Sequence, residues 1–340
     1  MNDPQPEGHL ASYIRRRKFL ASLGGMAAWP LAARAQGDRI RRLGVLMSTG
    51  ERDPETQLRV GAFREGLQKL GWAEGRNLQI DYRWGAGSIE RTRTYAAELV
   101  ALKPDVILGA PASAAVALHR ETRTIPVVFA QVPDPVGLGM VESLSRPGGN
   151  ITGFALYEYA IALKWLELLK EIAPHVTRAG ILYDLEQPTS PAYLKTIEAT
   201  APSFKVQILP DAVRDAGTIE RAIATLASGT NSGLLVLPGA LMTRHRDLII
   251  SLAARHRLPS ISAFRYYVAG GGLASYGVDN LDLYRRAAGY VDRVLKGEMP
   301  ANLPVQFADK FELVINVKTA KTLGLEVPVS LLARTDEVIE

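Results

Sequence analysis

The 340-residue chain has no cysteine. That excludes disulfides, thiolate metal sites, cysteine nucleophiles and the lipidated cysteine that would tether an exported protein to a membrane. It also lacks any apolar run of about 20 residues, the length needed to span a bilayer. Aromatic residues make up only 7%. No His-Glu-x-x-His zinc motif, Gly-x-Ser-x-Gly elbow or Gly-x-x-x-x-Gly-Lys-Ser/Thr phosphate loop occurs. His119, His175, His245 and His256 stand far apart, and Gly137-Leu138-Gly139 lacks the third glycine of a dinucleotide loop. Spacing therefore singles out no catalytic set and no metal site.

The first 35 residues have a layout of their own. Arg15-Arg16-Arg17-Lys18 precedes a short apolar run from Ala21 to Leu31, and Ala33-Arg34-Ala35 follows. Basic region, apolar region and small-x-small site are the order of a cleavable export signal. Arg16-Arg17-Lys18-Phe19-Leu20 resembles a twin-arginine core. The expectation is export with cleavage near Ala35 and a soluble, periplasmic mature chain. The whole chain holds 40 basic and 35 acidic side chains, but five of the bases lie in this leader. The remaining 35 bases face 33 acids, so the charge gives no argument for nucleic-acid binding.

Beyond Gln36, short apolar runs alternate with amphipathic stretches. Leu43–Met47, Asp105–Leu108, Pro126–Phe129, Ala179–Tyr183 and Gly233–Leu237 read as buried strands, separated by helices. One helix is expected over Glu55 to Leu70, with Leu58, Ala62, Phe63, Gly66, Leu67 and Leu70 on its apolar stripe. Continuous apolar strands between helices predict an α/β fold with parallel sheets covered on both faces. The alternation breaks at Arg146–Asn150, at Ala269-Gly270-Gly271-Gly272 and at Gly297–Pro300. Three breaks around two series predict two doubly wound lobes joined by three crossings, with the glycine triplet read as a hinge. The expected division is residues 36–154 plus 272–299 against 155–271 plus 300–340.

In open parallel sheets, ligands bind beyond the carboxyl ends of the strands. The residues found there are Ser48 and Thr49, Ala112 and Ser113, Asp134, Asp184 and Gln187, Pro238-Gly239, Phe264, Tyr266 and Asp279. Ser113 near a helix start can serve as an N-cap or help hold a carboxylate. Asp134 before Pro135 can open a turn or balance an ammonium group. Tyr157 and Tyr276 can be packing residues or pocket walls.

Several segments together resemble one family. They are Asp134-Pro135-Val136-Gly137-Leu138-Gly139, Arg146-Pro147-Gly148-Gly149-Asn150, Gly271-Gly272-Leu273-Ala274-Ser275-Tyr276-Gly277 and Phe311-Glu312-Leu313-Val314-Ile315-Asn316. Lys296-Gly297 to Val305 and the tail Leu323 to Glu340 complete the set. From about Arg42 to Glu340 the chain resembles the ABC-transporter substrate-binding proteins that include tryptophan-binding members. The resemblance implies a type I periplasmic-binding fold with a cleft between lobes. It implies no catalysis, no cofactor and no metal. It also implies a small-molecule ligand, such as an amino acid or related carboxylate, delivered to a membrane permease with a cytoplasmic ATPase. Neither nucleic acid nor a direct membrane anchor is expected. Ser48, Thr49, Ala112, Ser113, Asp134, Tyr157, Tyr276 and Asp279 match the family's pocket loops. Where members often carry Asn-Pro, this chain has Asp184-Leu185, and an ionised Asp only accepts hydrogen bonds. A ligand-sensing module for a membrane receptor and an exported α/β hydrolase remain alternatives.

Overall fold

The computed structural model describes residues 39–340. The export-signal reading, with its cleavage site near Ala35, lies outside the described residues.

The first series runs β1 (Arg41–Met47), α1 (Pro54–Lys69), β2 (Leu78–Trp84), α2 (Ile89–Ala101), β3 (Val106–Ala110), α3 (Ala112–Glu121), β4 (Val127–Val132) and β5 (Ile151–Ala155). The second runs α4 (Ile161–Ile172), β6 (Arg178–Asp184), α5 (Ser190–Thr200), β7 (Gln207–Val213), α6 (Ala216–Ala227), β8 (Ser232–Val236), α7 (Ala240–Arg244), α8 (Arg246–Arg255), β9 (Ser260–Ser262), α9 (Arg265–Ala269) and β10 (Ala274–Val278). The chain then returns through α10 (Asn280–Leu295), β11 (Gln306–Phe307), β12 (Phe311–Asn316), α11 (Val317–Thr322), α12 (Val329–Leu332) and β13 (Glu337–Ile339).

Two sheets result. The first has the order β11-β5-β4-β3-β1-β2 and is parallel throughout. The second has the order β13-β12-β10-β9-β8-β6-β7, parallel except for the β10–β12 pair. Strands β3, β4 and β5 are buried along their whole length, as parallel strands covered on both faces should be. The α/β, two-lobed architecture expected from the alternation is the one observed.

The crossings fall elsewhere than the composition breaks. Strand β10 pairs with β9 and β12, so residues 274–278 belong to the second lobe. Helix α10 lies against α1 in the first lobe. Gly66 permits that approach, since a Cβ there would stand 2.8 Å from Ala288 Cβ. Strand β11 pairs with β5, returning residues 306–307 to the first sheet. The chain therefore crosses after β5, at Asp279, and between β11 and β12. The glycine triplet is not a hinge but a tight turn ending α9, where the Gly272 amide donates to the Tyr267 carbonyl at 2.8 Å. A Cβ on Gly272 would stand 2.7 Å from that oxygen.

The stripe on α1 also differs from the expected one. Leu58 and Leu70 are 54% and 42% exposed, whereas Thr56, Arg59, Val60, Ala62, Phe63 and Leu67 are buried. The core-facing row is thus Thr56, Arg59 or Val60, Phe63 and Leu67, at helical spacing. It carries a guanidinium into the interior.

Candidate ligand-binding site

The carboxyl ends of both sheets face each other across a narrow cavity. From the first lobe come Arg59 on α1, Pro111 and Ala112 at the start of α3, and Gln131 and Pro133 at the end of β4. The second lobe supplies Gln187 and Thr189 before α5, Pro238 and Gly239 before α7, Thr243 on α7, and Phe264 before α9. Leu156, on the crossing after β5, closes the back. The walls leave about 20 Å³ for water-sized molecules between them. A wider recess of about 260 Å³ adjoins it, lined by Thr49, Asp53 and Ala86 on one side and Ala240, Thr243 and Arg244 on the other.

Arg59 is the dominant charge. It is 2% exposed, its Nε has no hydrogen-bond partner, and no carboxylate lies within 4 Å of it among the described residues. Its guanidinium carbon sits 5.7 Å from the centroid of the Tyr266 ring. Burial opposes its charge, while Tyr266, Tyr284 and Glu55, one turn earlier on α1, favour it, and the balance holds its pKa above the ordinary arginine value. Tyr266 is itself fixed, since its hydroxyl meets Thr243 Oγ1 at 3.0 Å. Thr243 donates its own proton to the Gly239 carbonyl at 3.0 Å, so Tyr266 is the donor in that pair. Phe264 stacks on Tyr266 at 5.3 Å. Gln131 is tied at both ends: its amide nitrogen donates to Asn280 Oδ1, and its oxygen accepts from Tyr284 at 2.9 Å.

Four other buried polar atoms without partners belong to wall residue Gln187 or to residues next in sequence to wall or recess residues. They are the hydroxyls of Ser48, Ser113 and Ser190 and the side-chain oxygen of Gln187. A buried unpartnered polar group costs about 1–3 kcal/mol, so the Arg59 Nε and the Gln187 oxygen on the cavity wall mark a place for a polar group of a ligand.

The residues singled out from sequence divide into three sets. Ala112 and Phe264 line the cavity, and Thr49 lines the adjoining recess, where it accepts from Thr56 at 2.7 Å. Ser48 and Ser113 stand next to these at the ends of β1 and β3. Ser113 is not an N-cap: Pro111 occupies the cap position of α3, and Ser113 lies inside the helix. Asp184, 6% exposed at the end of β6, lies behind Gly239 and Gln187, with one oxygen accepting from the Glu186 amide at 3.0 Å. Burial raises its pKa, an effect that the Glu186 hydrogen bond partly offsets.

The remaining four have structural tasks. Asp134 accepts from the Gly137 amide at 2.8 Å and opens a turn. Asp279 caps α10 through the Leu281 and Asp282 amides. Tyr157 packs edge-on against Trp165 and Tyr193. Tyr276 stacks on Phe311 in a groove of about 320 Å³ built from second-lobe residues alone. In that larger groove Lys164 pairs with Glu167, Arg334 pairs with Glu171, and Asp336 accepts from the Leu313 amide. It offers no unpaired cation, which favours the interlobe cavity as the site of a carboxylate.

The lobes also touch directly across the recess. Asp53 caps α1 with Oδ1, through the Thr56 amide at 2.9 Å, and uses Oδ2 to accept from Arg246 on α8. Both side chains are 14% exposed. Arg244 donates to the Ala86 carbonyl at 3.1 Å. Arg59, Thr189, Thr243 and the Asp53–Arg246 pair escaped the strand-end rule because they sit on helices or beyond the first loop residue. For Arg59 a signal existed, a basic residue four positions before Phe63 on the core-facing row.

Two α/β lobes that close over a shared cavity holding an unpaired guanidinium define a solute-binding protein of the type I periplasmic-binding class. A family model described as ABC transporter substrate binding protein matches residues 51–339, and the chain belongs to that family. It is similar to an ABC domain in complex with L-Trp from Streptococcus pneumonia, at 28% identity and a TM-score of 0.81 over 88% of this chain and 99% of that one. A conserved domain protein from Vibrio cholerae gives 28% identity and a TM-score of 0.82 over 88% and 100%. A "Tyrosine-binding protein" of Clostridioides difficile is 27% identical over 264 residues, 78% of this chain and 76% of its own length. Among the described residues no group of three or more His, Asp or Glu side chains could hold a metal, and no helix is long and apolar enough to cross a membrane.

Proposed function

We propose that this chain is the periplasmic capture component of an ABC importer, binding a carboxylate-bearing solute of the amino-acid or aromatic-acid kind and presenting it to a membrane permease. The observation that carries this reading is Arg59, a buried guanidinium with no carboxylate partner on the wall of an interlobe cavity. A guanidinium offers a planar fork that matches a carboxylate bidentately. Phe264 gives a flat apolar surface for a ring, backed by Tyr266 stacked on it. The L-Trp complex and the tyrosine-binding relative support an aromatic solute.

The mechanism is a shift between open and closed arrangements. A gap of about 20 Å³ has room for only about one water. A solute therefore enters only when the lobes part. It then bridges Arg59 on one lobe and the rings of the other, favouring closure by its better fit to the closed form. The closed pair of lobes is the shape a permease recognises.

A thermal-shift screen across amino acids and aromatic acids tests the reading. A bound solute at 100 times its Kd adds about 2.7 kcal/mol of stability. The expected outcome is selective stabilisation by aromatic carboxylates and none by their amides or esters. Equal stabilisation by uncharged analogues contradicts it.

A further inference from the structure

We infer that the cleft selects a carboxylic acid without an α-ammonium group, an aromatic acid in preference to the matching amino acid. The inference rests on the carboxylate reading above and narrows it.

The cavity walls carry positive potential from three sources and no carboxylate. Arg59 is the first. The second is the N-terminus of the ten-residue helix α3, where Pro111 leaves the first amides without a side-chain cap. The third is the N-terminus of the eleven-residue helix α5, where Thr189 at the cap position makes no capping hydrogen bond. Such ends attract anions. Each has its own unpartnered buried hydroxyl, Ser113 at 5% and Ser190 at 1% exposure. An anion entering this space meets Arg59 from the first lobe and the Gln187 and Thr189 side chains from the second.

An ammonium group entering it meets no carboxylate on the cavity wall. Asp53 is paired with Arg246, while Asp134 and Asp279 each use one oxygen on backbone amides and do not line the cavity. Glu55 lies outside the cavity wall, on the α1 turn preceding Arg59. Asp184 stands behind Gly239, its Cβ 3.9 Å from where a Gly239 Cβ would be, with one oxygen already used. Pro111, Pro133, Leu156, Pro238 and Phe264 complete an apolar enclosure in which an unbalanced ammonium stays desolvated.

Calorimetric titration of the full chain with matched pairs decides the matter: indole-3-propionate against tryptophan, 3-phenylpropionate against phenylalanine, and 3-(4-hydroxyphenyl)propionate against tyrosine. Each acid is expected to bind at least tenfold more tightly than its amino acid. An amino acid that binds as tightly as its acid, or more tightly, overturns the inference. If that amino-acid binding is lost in Arg59→Met and partly kept in Arg59→Lys, the carboxylate reading survives while this inference falls. If no member of any pair binds, both fall together.

Discussion

The two lobes share a sheet-and-helix plan but furnish the cleft differently. The first lobe gives one rigid charge. Arg59 is set by α1, α1 is set by its contact with α10, and neighbouring Gln131 is tied by Asn280 and Tyr284. The second lobe gives rings and loosely committed polar groups: Phe264, Tyr266, Gln187, Thr189 and Ser190. The difference teaches a division of labour. One lobe fixes where the carboxylate goes; the other decides what body may follow it.

Removing the first lobe's charge should have the largest effect. Arg59→Met is expected to weaken carboxylate binding by about 100-fold or more, since truncating one partner of a buried charge pair costs several kcal/mol. Its far-ultraviolet circular dichroism should be unchanged, because Met keeps an apolar stem of similar length at that position on α1. A fall in affinity together with a loss of fold by circular dichroism would break the division. On the other lobe, Phe264→Ala should cost about tenfold for aromatic ligands and little for aliphatic ones, as an aromatic contact is worth about 0.5–1.5 kcal/mol beyond its area. Equal losses for both ligand types would show that the second lobe does not discriminate.

The contact between lobes comes next. Arg246→Gln removes the Asp53 pair but leaves the α1 cap intact, because Asp53 caps through its other oxygen. Scattering should report a larger radius of gyration without ligand, and titration a several-fold weaker Kd. Unchanged scattering would mean the pair does not hold the lobes together.

The smallest effect expected is on pH dependence. Burial and Arg244 hold the His245 pKa below 6.5, against a weaker opposing pull from Asp215. The unfolded chain then takes its proton first as pH falls. Stability is full above about pH 6.5, declines as pH drops from there towards the folded pKa, and then levels. His119 in the first lobe is lowered too, by burial and by Arg123 and Arg120. His245→Gln should therefore flatten part of the slope in chemical denaturation between pH 7 and 5, and His119→Gln another part.

The fold was largely legible from the alternation of apolar runs and amphipathic stretches, because parallel strands buried on both faces leave an unmistakable pattern. The crossings were not. Glycine composition pointed to residues 269–272, whereas strand pairing with β9 and β12 moved the crossing to Asp279. Local flexibility and lobe exchange are different properties, and only long-range pairing reveals the second. In the site, the strand-end rule reached Thr49, Ala112 and Phe264. It also named Asp134 and Asp279, which line neither the cavity nor its recess and each use one carboxylate oxygen in a turn or a cap. It passed over Arg59, because its burial is imposed by tertiary packing around α1 that the local pattern did not display. A basic side chain on a core-facing row was the available sign.

The structure of a complex with an aromatic carboxylate is the most direct test, read as one distance. The account predicts a ligand carboxylate oxygen about 2.7–2.9 Å from an Arg59 guanidinium nitrogen, the range of charge-assisted pairs. A ligand held between the lobes with its carboxylate turned away from Arg59, or one seated in the Tyr276–Phe311 groove, would contradict it.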